Sequence, residues 1–436
     1  MFTRRIQFPY GKQTQEVILP EEWVGEVVHP QSVRLVAETM TVAATALSEP
    51  VGVPPLAEWV QPGQTVAILI DDYTRKTPIY QILPLVLAQL ELAGVARKRI
   101  CLVVALGTHR PMAQDELVAK VGRQVVDRYR IINGFGEGGS ETVYVGTSSH
   151  GIPAWVQRAV VEADVRIGLG MITPHMDAGF SGGAKIVLPG VCGEETVDAF
   201  HAASAFLPVN QLGNVDSPLR RNLEEFVEEH VPLHFIVNLV ITLDGQVCQC
   251  VAGHPVQAHR VGVEYAKAAF GVPVQRRYPV VVANCYPYDI DLWQSFKGAF
   301  CGDLVAEDGG TLIWVTAAPE GNSTYPLVPV YAGRDGGELI REIREGRAED
   351  PKQAVAGVQF TTLKARLNLA LVSTGLSHTD ARSMGIAYHR SVEEAVTEAV
   401  ERLTPSERKG SVAVIPQAGI ILPLLPSPTE STRESY

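Results

Sequence analysis

Strand-length apolar runs, each stopping at a polar loop and followed by a helical pattern, recur along this 436-residue chain. Residues 65–70 (TVAILI) lead into the polar stretch 71–77. Pro78 then opens a helix to about residue 92, because its fixed φ suits a first helical turn. Residues 100–106 form a second buried strand ending in Gly107-Thr108-His109-Arg110-Pro111, followed by a short helix over 112–121. A third strand, 164–169, precedes Ile172-Thr173-Pro174-His175, a glycine-rich segment and a helix over 194–204. Such alternation predicts an α/β domain with a mostly parallel sheet. The polar motifs fall at strand ends, the edge where open α/β sheets bind ligands.

The pattern breaks around residues 270–278, which read as a linker, and then resumes. Strands at 279–284, 311–316 and 368–372 alternate with helices at 290–300, 337–345 and 391–403, predicting a second, smaller α/β domain. The expected organisation is therefore residues 1–270 as the cofactor-binding and catalytic domain and 279–405 as the C-terminal domain. A late strand at 412–415, within 408–425, is expected to rejoin the first domain. The Ser/Thr/Pro/Glu-rich stretch 426–436 reads as a flexible tail.

A hydrophobic fraction of 46% with 19% charged residues suits a chain with a well-filled core. The formal charge is -11 and no Lys/Arg run builds a basic face, which argues against nucleic-acid binding. No stretch approaches the ~20 apolar residues of a membrane span, and the N-terminus lacks the apolar core of a signal peptide. Six cysteines without a pair of CxxC motifs read as reduced thiols, placing the protein in the cytoplasm.

Five clusters carry possible chemistry. Asp71-Asp72-Tyr73-Thr74-Arg75-Lys76-Thr77-Pro78 sets acids, hydroxyls and bases between a strand and a helix. Helix N-termini attract anions, and an arginine grips a carboxylate or phosphate through parallel hydrogen bonds. A capped helix with a solvated ion pair has the same composition. His109, at a strand end, is either a general base or a loop histidine bonded to backbone. The segment Pro174-His175-Met176-Asp177-Ala178-Gly179-Phe180-Ser181-Gly182-Gly183-Ala184-Lys185 continues to Leu188-Pro189-Gly190. Its glycines let backbone approach a bulky anion, yet the spacing is neither a Walker loop nor GxGxxG. A lysine among apolar neighbours loses basicity and becomes a nucleophile towards an acyl or thioacyl carbon; a surface lysine after a turn is the plain alternative. His201 lies on the 194–204 helix beside Phe200 and Ala202, as a satisfied core histidine or a metal ligand would. Gln294 and Lys297, three apart, share a helix face that suits a hydroxy-carboxylate or simply solvent.

Taken in order, these segments resemble the lactate racemase family of nickel-pincer 2-hydroxyacid racemases and epimerases. The likeness runs over nearly the whole chain and is strongest from Gly179 to Gly190, with His175 before and His201 after. The resemblance implies a covalently attached cofactor, a pyridinium mononucleotide bearing two sulfur-containing carbonyl groups. In that family one of these is joined to a lysine as a thioamide, which by resemblance would be Lys185. The family's nickel lies between both sulfurs and a ring carbon, and His201 would complete its coordination; soft sulfur with imidazole suits Ni(II). It implies proton-coupled hydride transfer from C2 of a small 2-hydroxy acid, with His109 and His175 as the two bases, one for each enantiomer. Arg75 would bind the substrate carboxylate, oriented by Asp72. Asp72, Tyr73, Thr74 and Arg75 would contact the cofactor, with Thr74 and neighbouring amides at its phosphate. Trp293, Gln294 and Lys297 would close on the substrate, placing the active site in a cleft between the domains. Enzymes that build the cofactor are implied as partners.

Two departures from lactate-specific members bear on the substrate. Trp293 stands where they carry a tyrosine, and the stretch Ala356-Gly357-Val358-Gln359-Phe360 lacks their tryptophan. Both point to a longer, aromatic or sugar-derived hydroxy acid. The competing expectations are a metal-dependent hydrolase or lyase with His109, His175 and His201 as ligands, and an inactive carboxylate- or nucleotide-binding relative.

Overall fold

The structure, a computed structural model, describes residues 2–33, 35, 38–107, 109–136, 141–206, 210–242, 245–322 and 325–426. Thr108 and all of the expected tail except Pro426 lie outside the described residues. The chain divides into two units, one made of residues 33–203 and 213–269, the other of 1–32, 204–212 and 270–436.

In the first unit, six strands lie in the order Val247–Gly253, Phe235–Ile241, Val165–Met171, Val66–Asp71, Ile100–Ala105, Arg130–Ile132. All neighbours run parallel except the first pair. Val66–Asp71 is buried throughout, which is why it reads as a continuous apolar run rather than an alternating one. The helix Ile79–Leu92 packs Ile79, Ile82, Leu83, Val86 and Leu90 into one core with Ile68, Ile70, Leu102 and Leu169. From Val66–Asp71 the sheet grows outward through Ile100–Ala105, then resumes on the opposite side with Val165–Met171. The loops leaving Val66–Asp71 and Val165–Met171 therefore diverge, and a crevice at the carboxyl edge between them is where such sheets take ligands.

The second unit holds a wholly parallel six-stranded sheet. Its order is Ala387–His389, Asn368–Ser373, Ala306–Thr316, Tyr278–Asn284, Val412–Ile415, Val24–Val27. Two expectations are corrected here. Val412–Ile415 does not rejoin the first domain: it pairs with Tyr278–Asn284, and its four buried residues need a strand on each side. Residues 1–32, expected within the first domain, supply that outer strand, Val24–Val27, and a hairpin of Thr3–Tyr10 with Gln13–Pro20. The hairpin's alternating Ile6, Phe8, Val17 and Leu19 cover Val280, Ile313, Val396 and Val414. The expected linker also carries structure, since Gly271–Pro273 pairs in parallel with Leu422–Leu424. Among the described residues no helix is long and apolar enough to cross a membrane.

Candidate active site

The loop after Val66–Asp71 is held from below by a lysine. Asp71 is buried; its carboxylate meets Lys120 Nζ at 2.6 Å and accepts from the Thr77 hydroxyl. Burial raises the Asp71 pKa, against the pull of Lys120, Thr77 and Arg75. Lys120 comes from the inner face of the helix Gln114–Val121, and its ammonium also donates to the carbonyls of Asp72 (3.0 Å) and Arg75 (2.8 Å). One buried cation thus ties three points of the loop.

On that footing Asp72 turns to His109. Its Oδ2 lies 2.5 Å from His109 Nδ1, while Oδ1 accepts from the Thr74 amide (3.1 Å) and hydroxyl (2.6 Å). Burial works to raise the Asp72 pKa, but the bonds from His109 and Thr74 and the nearby Arg75 charge outweigh it, holding the carboxyl below its ordinary value. An ionised Asp72 keeps the proton of neutral His109 on Nδ1 and the lone pair on Nε2, the form of a general base. This departs from the sequence expectation in two ways. The Asp72 carboxylate orients His109, not Arg75, and the Thr74 groups expected at a phosphate are already taken by Asp72. Arg75 itself is exposed. Tyr73 lies under Arg110, 4.1 Å from its ring centre, and 6.3 Å from the His109 ring. A cavity of about 800 Å³ opens beside the loop, lined by Tyr73, Arg75, Lys76, Gln81, Lys120 and Gln246 among others; none of the three candidate histidines lines it.

The glycine-rich segment crosses the same edge of the sheet. Gly107 N, at the end of the second strand, donates to Gly190 O at 2.9 Å, joining the His109 loop to the Lys185 segment. Pro174–His175 pairs with Gly179–Phe180 as a small hairpin, and Lys185 lies in the single turn Gly183–Ile186. The glycines expected to admit an anion are demanded by packing. Gly182 has φ +77 and a Cβ there would stand 2.8 Å from Asn238 Oδ1; one on Gly183 (φ +60) would meet the His259 ring at 3.0 Å. Arg220, fully buried, donates to the carbonyls of Ala178 (3.3 Å), Gly182 (3.1 Å) and Phe180. Asn238 Oδ1 accepts from Gly183 N at 2.8 Å, and His259 Nε2 bonds Ser181 O at 2.9 Å. Burial pushes the Lys185 amine down to about 8, helped by the charges of Arg75 and Arg220 and opposed by Asp177. His175 Nδ1 accepts from the amides of Asp177 (3.2 Å) and Ala178 (3.4 Å).

His201 lies on the helix Glu194–Ser204, and its Nδ1 bonds the Val197 carbonyl at 2.8 Å. That bond fixes the proton on Nδ1 and the lone pair on Nε2, the tautomer a metal requires. Among the described residues no group of three His, Cys, Asp or Glu side chains is placed to hold one metal ion, so the all-histidine metal site has no geometric support.

The remaining candidates belong to the other unit, on the helix Leu292–Val305 that follows Tyr278–Asn284. Asp291 caps it through Gln294 N (2.6 Å). Lys297 Nζ donates to Gln294 Oε1 (2.9 Å) and sits 3.7 Å from the Tyr288 ring centre, so the expected shared face is present. Trp293 stacks on Tyr325 at 4.4 Å.

Sequence reasoning missed Lys120, Arg220, Asn238 and His259. Asn238 had a visible signal, as the polar residue inside the apolar run Phe235–Ile241. The others looked like ordinary polar positions on amphipathic helices.

Three comparisons bear on this arrangement. Residues 10–213 match the family model described as the lactate racemase N-terminal domain. The chain is 31% identical over 427 residues to a lactate racemase of Lactiplantibacillus plantarum, covering 96% of this chain and 99% of that one. A lactate racemase of Thermoanaerobacterium thermosaccharolyticum is 28% identical over 323 residues, 73% of this chain and 75% of that one. The fold is similar to the solved lactate racemase apoprotein from T. thermosaccharolyticum, with a TM-score of 0.83 at 23% identity, over 97% of this chain and 100% of that one.

Proposed function

The chain belongs to the lactate racemase family and is an isomerase; from that premise we propose that it inverts C2 of a small 2-hydroxy acid with a nickel-pincer nucleotide bound to Lys185 and His201. The observation that carries this reading is the pairing, at one sheet edge, of a carboxylate-oriented His109 with a lysine of lowered basicity. The residues suit the cofactor. Thioamide formation needs a neutral amine, and a Lys185 pKa of about 8 supplies one far more readily than an ordinary lysine near ~10.4. His201 presents the nitrogen lone pair that Ni(II) takes alongside sulfur. When bound, the cofactor supplies the acceptor and donor for the C2 hydrogen.

The chain's own residues handle the proton and the orientation. His109 Nε2 takes the hydroxyl proton from one enantiomer while Asp72 steadies the resulting imidazolium. His175 serves the opposite face, because inversion needs a proton acceptor on each side of the stereocentre. Arg75 grips the substrate carboxylate, and Tyr73 and Arg75 flank the cofactor. The six cysteines, none in a disulfide, fit a reducing cytoplasm, where cofactor-building enzymes act as partners.

The test is protein co-expressed with those maturation enzymes. It is expected to carry one nickel per chain, an added mass on Lys185, and activity that erodes the optical purity of at least one acid in a 2-hydroxy acid panel. Matured protein with neither nickel nor a modified Lys185 overturns the reading.

A further inference from the structure

The two histidines are not equivalently placed. His109 Nδ1 faces a carboxylate, whereas His175 Nδ1 accepts from the amides of Asp177 and Ala178. An imidazole whose Nδ1 accepts carries its one neutral-state proton on Nε2. In that form His175 offers the substrate an N–H and cannot take a proton at Nε2. To act as base it must first move its ring proton to Nδ1; to act as acid it must be an imidazolium, again protonated at Nδ1. Both roles need an acceptor beside Nδ1, where the resting ring meets amide donors. The Asp177 carboxylate lies close by, its Oδ2 4.0 Å from Nδ1. The gap is about 1 Å more than a hydrogen bond, within reach of a side-chain rotation. Asp177 also opposes the fall in the Lys185 pKa, so its charge is felt within the site.

We propose that Asp177 is the positioning carboxylate of His175, turning onto Nδ1 to release the Nε2 lone pair, as Asp72 already does for His109. The proposal rests on the racemase reading given above. When His175 acts as base, the substrate O–H bond breaks, an Nε2–H bond forms, and the imidazolium's Nδ1–H donates to Asp177. When it acts as acid, the Nε2–H bond breaks and the proton returns to the substrate oxygen. Asp177 stays ionised throughout and touches neither substrate nor cofactor.

The experiment is 15N NMR of the full chain labelled in histidine, with His175→Gln identifying the resonance, because ring nitrogen shifts separate the two tautomers. In the parent protein the His175 Nδ1 signal is expected part-way towards its protonated position. Asp177→Asn moves it to the fully unprotonated position, and Asp177→Glu keeps it intermediate. In matured enzyme, Asp177→Asn lowers kcat about 10²-fold with KM near the parent's, and Asp177→Glu restores about tenfold of the loss. An Nδ1 signal unmoved by Asp177→Asn overturns the proposal, whatever happens to the rate. The racemase reading of His175 fails separately, if His175→Gln racemises substrate at the parent rate.

Discussion

His109 is oriented by the Asp72 carboxylate, and the Lys185 amine owes its lowered pKa chiefly to burial. Asp72→Asn keeps the shape but removes the anion that holds the His109 proton on Nδ1. Initial rates of racemisation are expected to show kcat reduced about 10²–10⁴-fold with a smaller change in KM; an unaltered kcat would separate His109 from proton transfer. Lys185 makes a pH prediction. Its folded pKa of about 8 lies below the ordinary lysine value of about 10.5, so between those values the unfolded chain binds more protons. Stability therefore gains from this group as pH rises through that window, and the cost of a desolvated ammonium is fully present below it. In the cofactor-free protein, acylation of Lys185 followed by peptide mass mapping should rise to half its maximum near pH 8, well before the exposed lysines. Labelling that tracks the exposed lysines would show an ordinary amine. These roles were only partly legible in the sequence. Strand-end position marked His109 and His175, but the partner of Asp72 could not be read from spacing, since thirty-seven residues separate it from His109.

At the level of elements, the strands and helices around the site fall close to where apolar runs and Pro78 place them. The strand expected at 65–70 is Val66–Asp71, and the helix over 194–204 is Glu194–Ser204. What escaped was the support beneath the loops. Lys120 and Arg220 lie on helices whose patterns read as polar-outside, yet both ammonium and guanidinium point inward to bind main-chain carbonyls. Periodicity records which face is apolar, not that a long cationic side chain has turned beneath a loop. Lys120→Met should strand the Asp71 carboxylate and cost roughly 3 kcal/mol. The shift would be read as a lower denaturant midpoint, and adding Asp71→Asn should recover part of it. A midpoint equal to the parent's would mean the ion pair does not hold the loop.

For the whole molecule, the α/β class and largely parallel sheets followed from alternation of strands and helices, but the division of the chain did not. Local patterns identify a strand without naming its neighbour, and Val24–Val27 finds its partner in Val412–Ile415. A fragment of residues 270–436 should accordingly lack an edge strand and expose Val280, Val282 and Ile313, which the N-terminal hairpin covers. It is expected to give weak near-ultraviolet circular dichroism and no cooperative melt, and a fusion of 1–32 through a Gly/Ser linker should restore both. Cooperative melting of the fragment alone would show that the hairpin is dispensable. The same pairing sets an order for biosynthesis. The first strand of this sheet leaves the ribosome almost a full chain length before the strand that flanks it. At about 5–20 residues per second the wait is on the order of 20–80 s. Throughout that interval Phe8 and Leu19 have no completed sheet to cover, so the nascent hairpin is the segment most in need of a chaperone's shelter.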